Sequence, residues 1–130
     1  MLFMGDAGAQ SEARLLTAGT DVAADVRKVG HHGSAYSSTP AFIAAVRPHY
    51  ALISVGRHNL FGHPASATIA TLQRLGATVY RTDHSGAITV RAGPGVAVEA
   101  LLGPLPRLQR SGDGLGNGAP NSVVTKMISP

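Results

Sequence analysis

The chain has 130 residues and a mass of 13.3 kDa, the size of a single domain that can bury one core. It has no cysteine, which excludes disulfide scaffolds, thiolate zinc sites and cysteine nucleophiles, so any metal must be held by histidine and carboxylate. The net charge is +4 without a cluster of lysine and arginine, and this charge alone does not indicate nucleic-acid binding.

Glycine and proline are concentrated in the last third of the chain. They make up 12 of the 38 residues from Gly93 onward, a density typical of turn-rich linkers and disordered segments. We therefore expect a folded part over residues 1–92 and a disordered tail over residues 93–130. The apolar runs are far shorter than the ~20 residues that cross a bilayer, and the residues after Met1 do not have the pattern of a signal peptide. We therefore expect a soluble chain without a targeting signal.

Short apolar runs alternate with stretches of helical periodicity along residues 1–92, and this alternation predicts a layered α/β sheet covered by helices. Glycines and prolines mark where the elements stop, and Thr39 with Pro40 is typical of a helix start. The predicted elements are strand 2–4, helix 11–18, strand 26–29, a helix from Pro40 to before Pro48, strand 50–55, helix 65–75, strand 78–81 and, after a turn at 83–86, its antiparallel partner 87–91.

Three polar loops follow predicted strands, and they contain Asp6, His31 with His32, and His63. In α/β sheets the ligand crevice lies beyond the carboxyl ends of the strands, so we expect these side chains to converge. Taken alone, Asp6 is typical of a turn or cap, and the histidine pair suits a solvated loop as well as a metal or anion site. Together, a carboxylate able to bridge two cations and histidines able to bind each one favour a two-metal hydrolase.

The motifs in these loops resemble the second half of the metallo-β-lactamase-fold domain in ComEC-type DNA-internalisation competence proteins. The resemblance runs from residue 1 to about 91, in order and at similar spacing, and Lys-Val-Gly-His-His-Gly-Ser is its most specific motif. It implies the second half only of an αββα metallo-β-lactamase-like fold. The segments that carry it are Leu2–Ala7, Val26–Ser34, Ile53–Arg57, Gly62–Pro64 and Arg81–Ile88.

The resemblance also implies a metal-dependent hydrolase of the nuclease or phosphodiesterase type. By this resemblance, Asp6 bridges two divalent metal ions, zinc or manganese. One histidine of the His31–His32 pair is a metal ligand, and we favour His32 for this role. His31 then faces the phosphate or supports the ligands, and His63 contacts phosphate or donates a proton to the leaving group. The implied partner is single-stranded DNA or another phosphodiester, and the parent protein is associated with the bacterial cell membrane.

One large part of the family pattern is missing from this sequence. The His-x-His-x-Asp-His motif, which supplies most ligands from the first half of the fold, does not occur. We therefore expect a partial site that is inactive alone, and partners in an N-terminal half-domain and a membrane domain of the parent. Two alternative functions remain open. The chain could belong to a hydrolase of another phosphoester, or it could be a non-catalytic remnant or interaction module. Half of a two-sheet sandwich would also leave apolar residues such as Leu52 or Ile53 more exposed than usual.

Overall fold

Four parallel strands and three antiparallel strands form two separate sheets in the computed structural model, which describes residues 1–105 and strand 123–127. The parallel sheet has the order β1-β2-β3-β4, and the antiparallel sheet has the order β6-β5-β7. The elements are β1 Leu2–Phe3, α1 Ala9–Thr17, β2 Val26–Lys28, a tight 3₁₀ turn at Gly30–Gly33, α2 Pro40–Val46, β3 Tyr50–Ile53, α3 Ser66–Arg74, β4 Thr78–Arg81, α4 Thr82–Ser85, β5 Ile88–Ala92, β6 Val96–Ala100 and β7 Val123–Met127.

The register of the parallel sheet decides which residues share a face. Arg27 on β2 is level with Ala51 on β3, and Ala51 is level with Val79 on β4. The next residue of each strand points to the opposite face, because side chains alternate along a strand. The α/β alternation predicted from the sequence is confirmed, as is the start of α2, where the Thr39 side chain accepts a hydrogen bond from the Phe42 N–H.

Helices cover one face of the parallel sheet and the antiparallel sheet covers the other. The helical side buries Ile43, Ala51, Ile53, Leu72 and Val79 in one cluster. On the other side, Leu52 and Tyr80 pack with Ile88 and Val90 of β5, and Val96, Val98 and Ala100 of β6 close over them. The expectation that Leu52 or Ile53 would be exposed is wrong, because each lies under one of these two layers and is 0% exposed. On the edge strand β1 of the parallel sheet, by contrast, Phe3 is 58% exposed.

The predicted hairpin between strands 78–81 and 87–91 is also wrong. After β4 the chain makes the single helical turn α4, and β5 then pairs with β6 and β7 instead of β4. Thr82 fixes this departure, since its hydroxyl bonds the backbone N–H and C=O of Val55, each at 2.8 Å. Burial of Ile88 against Leu52 across the two layers favours the second sheet over a hairpin.

The segment expected to be a tail contains two strands. Val96–Ala100 pairs along β5 on one side, and Val123–Met127 pairs along β5 on the other. Residues 106–122 and 128–130 lie outside the described residues, and the boundary at residue 92 stays a prediction. Within the described part of the chain, no helix is long and apolar enough to cross a membrane.

A buried ion pair joins α1, β2 and the start of α2. The Arg27 guanidinium donates to the Glu12 carboxylate at 2.9 Å and to the Ser38 hydroxyl at 3.1 Å, and both charged side chains are 0% exposed. Glu12 also accepts the backbone N–H of Ser38 at 2.7 Å and of Thr39 at 2.8 Å. Burial lowers the pKa of Arg27 from its ordinary value, and the charge and hydrogen bond of Glu12 oppose that change.

We predict that Glu12→Ala destabilises the chain strongly. The substitution leaves the Arg27 charge buried without its counter-ion and removes the acceptor of two backbone N–H groups, a loss on the order of 3–5 kcal/mol in the free energy of unfolding. Urea denaturation followed by circular dichroism measures it. Ser11→Ala, an exposed change on the same helix, is the control and should stay within about 0.5 kcal/mol of the parent. A loss below about 1 kcal/mol for Glu12→Ala would show that the pair is dispensable.

Candidate functional site

Three loops meet at the carboxyl edge of the parallel sheet, as the sequence predicts. They are the turn that follows β1, the Gly30–Gly33 turn that follows β2, and the loop 54–65 that follows β3. The His31 N–H donates to the Gly5 carbonyl at 2.8 Å, and the Ala65 N–H donates to the Gly33 carbonyl at 2.9 Å. The middle turn is therefore hydrogen-bonded to both of its neighbours.

The two adjacent histidines have left-handed backbone conformations. His31 has φ 49° and His32 has φ 51°, in a region that costs residues other than glycine roughly 1–2 kcal/mol each. The conformation separates the two rings. The His31 ring lies edge to face with the His63 ring, with centroids 5.9 Å apart and an interplanar angle of 65°. The two residues predicted to be catalytic thus lie side by side, contributed by different loops.

The His32 ring is oriented by a backbone carbonyl. Its Nδ1 lies 2.7 Å from the Ser54 carbonyl oxygen at the end of β3. A carbonyl oxygen only accepts, so Nδ1 must carry the proton of this hydrogen bond, and in the neutral ring the lone pair is then on Nε2. This arrangement is the one in which metal-binding histidines are usually held, because the second nitrogen fixes the tautomer of the first. The side chain is exposed, so Nε2 is accessible.

The glycines on either side of the histidines are required by close packing. A Cβ on Gly33, whose φ is +82°, would lie 2.5 Å from the Pro64 Cβ, well inside van der Waals contact. A Cβ on Gly30 would lie 3.1 Å from the Ala7 carbonyl oxygen. The histidine turn therefore requires glycine at position 33 and packs tightly against the first loop at position 30.

Buried hydroxyl groups hydrogen-bond to the backbone carbonyls of the histidine turn and of the residue that follows it. Ser37 Oγ donates to the Gly30 carbonyl at 3.1 Å, and Thr68 Oγ1 on α3 donates to the Ser34 carbonyl at 3.1 Å. Ser34, Ser37 and Thr68 are all buried. These bonds satisfy carbonyl groups that water cannot reach, and they tie the turn to α3.

Asn59 holds the third loop around His63. Its side-chain amide donates to the carbonyls of Gly56 at 3.2 Å and His63 at 2.8 Å, and its Oδ1 accepts the His63 N–H at 2.8 Å. The His63 ring also stacks with Phe61, with centroids 6.1 Å apart and an interplanar angle of 20°. Both the position and the orientation of His63 are thereby restricted.

The Asp6 side chain is exposed in the turn beside the His31 backbone. A divalent zinc site requires three or four protein ligands. Across residues 1–105, the structure brings together no group of three or more histidine, aspartate or glutamate side chains that could hold a metal ion. The donor set of these residues therefore does not complete a metal site.

Sequence reasoning missed several residues on which the site depends. Glu12 and Arg27 look like ordinary surface charges, and no local signal marks them as buried. Asn59 lies in a polar loop, three residues before Gly62. An asparagine at this distance from a glycine indicates a turn only weakly. Thr82 directly follows a predicted strand, and its double hydrogen bond to Val55 could not be found from the sequence.

Three competence proteins are similar to this chain. It is 38% identical over 90 residues to ComE operon protein 3 of Bacillus subtilis (strain 168), covering 69% of this chain and 12% of that protein. It is 36% identical over 96 residues to competence protein ComA of Neisseria gonorrhoeae, covering 73% of this chain and 14% of that protein. It is 38% identical over 90 residues to recombination protein 2 of Haemophilus influenzae, covering 69% of this chain and 11% of that protein.

These similarities show that homologues of this chain are competence proteins over about 70% of its length. The chain spans about an eighth of the length of these curated relatives. No family model matches the chain, and no solved structure matches it.

We predict that Gly33→Ala destabilises the chain more than Gly76→Ala does. Both glycines have positive φ, +82° and +94°, so alanine is strained at each, but only Gly33 has a neighbour within 4 Å of the added Cβ. The difference in free energy of unfolding isolates the contact with Pro64 and should be about 1–3 kcal/mol, measured by thermal or urea unfolding. Equal losses for the two variants would mean that the turn does not pack against the third loop as described.

Proposed function

We propose that this chain provides part of a metal-dependent phosphodiesterase or nuclease site in a DNA-uptake competence protein. The observation that carries the proposal is the His32 ring, whose Nδ1 is bonded to the Ser54 carbonyl, so that Nε2 is the ring nitrogen left for a metal on this exposed side chain. The similarity to competence proteins supports the biological setting. The metallo-β-lactamase-like relation belongs to the same proposal and is supported by the order and spacing of the loop motifs.

In this proposal Asp6 and His32 are the metal ligands that the described residues contribute. A carboxylate and an imidazole suit zinc or manganese, and two ions are expected in the intact domain. A bound divalent ion stabilises the charge that develops on a phosphoryl group and activates water. Because the described residues bring together fewer than three such ligands, the rest of the site has to come from elsewhere in the parent protein.

His31 and His63 are proposed to act on the phosphate. Their rings come from the second and third loops and lie edge to face, and each has a ring nitrogen able to donate a hydrogen bond. Asn59 fixes the backbone of His63, so this imidazole can present a proton to a leaving-group oxygen at a defined place. Arg57 and His58 are exposed in the same loop and add groups that attract an anion.

The remaining ligands are proposed to come from an N-terminal half-domain, and the parent protein is proposed to be associated with the bacterial membrane. The substrate class is single-stranded DNA or another phosphodiester, since histidine and arginine contacts recognise the phosphate rather than the base. A non-catalytic interaction module is the second candidate, and it is favoured by one observation: residues 1–105 lack three metal-binding side chains in one place.

We predict that the 130-residue chain binds Zn²⁺ or Mn²⁺ weakly through Asp6 and His32. Asp6→Ala and His32→Ala should each reduce the affinity at least about tenfold in isothermal titration calorimetry, because each removes one of few ligands. His49→Ala is the matched control, since His49 is exposed and precedes β3 at the opposite edge of the sheet.

Equal affinity of the parent chain and the His32→Ala variant would refute the assignment of His32. A nuclease assay of the same samples on single-stranded DNA with Mn²⁺ tests whether the site is incomplete. We expect the chain alone not to cleave the DNA. Cleavage that requires Mn²⁺ and disappears in Asp6→Ala would show that these residues are sufficient for catalysis.

A further inference from the structure

Two aromatic side chains at the candidate site are almost fully in solvent. Tyr36 and Phe61 are each 82% exposed. Large aromatic rings are among the side chains that gain most from burial, and their exposure beside a site is typical of a surface that contacts a ligand.

The two rings belong to different segments next to the histidine turn. The Tyr36 carbonyl accepts the Ala9 N–H at 2.9 Å and lies 3.3 Å from the position of a Cβ on Gly8, so Tyr36 adjoins the loop that contains Asp6. Phe61 belongs to the third loop and stacks with His63, whose ring meets that of His31. The third loop therefore places one exposed ring against the His31 and His63 pair, and the segment after the histidine turn carries a second exposed ring next to the first loop.

We infer that Tyr36 and Phe61 stack on unpaired bases of a single-stranded nucleic acid whose phosphates contact His31 and His63. This inference rests on the proposed function and deepens it, because it adds base contacts to a site otherwise built for phosphate. Stacking requires a ring with an accessible face, and the exposure of Phe61 leaves the face away from His63 accessible.

The charge and the ring chemistry around the site favour a single strand over a duplex or a protein partner. Arg57 and His58 are exposed four and three residues before Phe61, so one loop carries both groups that attract phosphate and an aromatic ring. Basic groups interleaved with exposed aromatic rings are the pattern by which proteins hold single strands irrespective of sequence. A duplex offers no free base faces to either ring without unstacking.

Binding of single-stranded oligonucleotides to the 130-residue chain tests the inference. Fluorescence anisotropy compares a labelled oligothymidylate with an abasic oligonucleotide of the same phosphate number, in Mn²⁺ and again in EDTA. We expect the parent chain to bind the oligothymidylate more tightly than the abasic strand. Tyr36→Ala should weaken oligothymidylate binding roughly fivefold or more and leave abasic binding nearly unchanged. Phe61→Ala should weaken oligothymidylate binding by at least as much and abasic binding by less, because it also removes the ring that stacks on His63.

Conservative and neighbouring variants separate stacking from folding. Phe61→Trp and Tyr36→Phe keep a ring and should bind like the parent, whereas Leu60→Ala removes a 98% exposed side chain without a ring and should change nothing. Equal affinity for the two oligonucleotides would overturn the stacking role, and so would alanine variants that bind like the parent. In either case the proposed phosphate site would stand, and the exposed rings would be assigned to a contact with another protein. No binding of either oligonucleotide would contradict the proposed function itself and the inference with it.

Discussion

The buried pair of Glu12 and Arg27 is the constraint on which the arrangement of the site depends. Helix α1 and strand β2 each place a charge where water cannot reach it, and such a pair depends on its hydrogen bonds. The Glu12 carboxylate accepts from Arg27 and from the backbone N–H groups of Ser38 and Thr39, whereas Nε and Nη1 of Arg27 are buried without a hydrogen-bond partner. The guanidinium carbon also lies 4.9 Å from the centre of the Phe42 ring, a cation–π contact with α2. The segment that follows the histidine turn is therefore fixed to the core by one carboxylate.

The histidine turn is held in a strained conformation because its surroundings leave no alternative. Left-handed backbone at both His31 and His32 is unfavourable in isolation, and it persists where neighbouring contacts determine it. Here the turn is hydrogen-bonded to the first and third loops, and a side chain on Gly33 would collide with Pro64. The result is a division of roles between adjacent residues, with His32 bonded to the Ser54 carbonyl and His31 facing His63.

The periodicity of the sequence predicts most of the parallel sheet and the convergence of its loops, because strand and helix patterns and glycine stops are local signals. It fails where distant contacts decide the outcome. The hairpin expected after β4 does not form because Thr82 bonds to Val55 and Ile88 packs on Leu52 in another layer. The burial of Glu12 and Arg27 could not be predicted either, because a charge on a short helix or a short strand is compatible with full exposure. Motif spacing found the three loops, whereas the contacts that hold His32 and His63 depend on the Ser54 carbonyl and the Asn59 side chain, which the motifs do not reveal.

The tautomer of His32 is the property that most directly tests the proposed site, since it decides which ring nitrogen is free. Long-range ¹H–¹⁵N correlation spectra of the ¹⁵N-labelled chain measure it at neutral pH, first without metal and then during addition of Zn²⁺. We expect the His32 ring to carry its proton at Nδ1, with the Nε2 resonance shifting as Zn²⁺ is added and the His49 resonances unchanged. A ring protonated at Nε2, or a His32 spectrum insensitive to Zn²⁺, would contradict it.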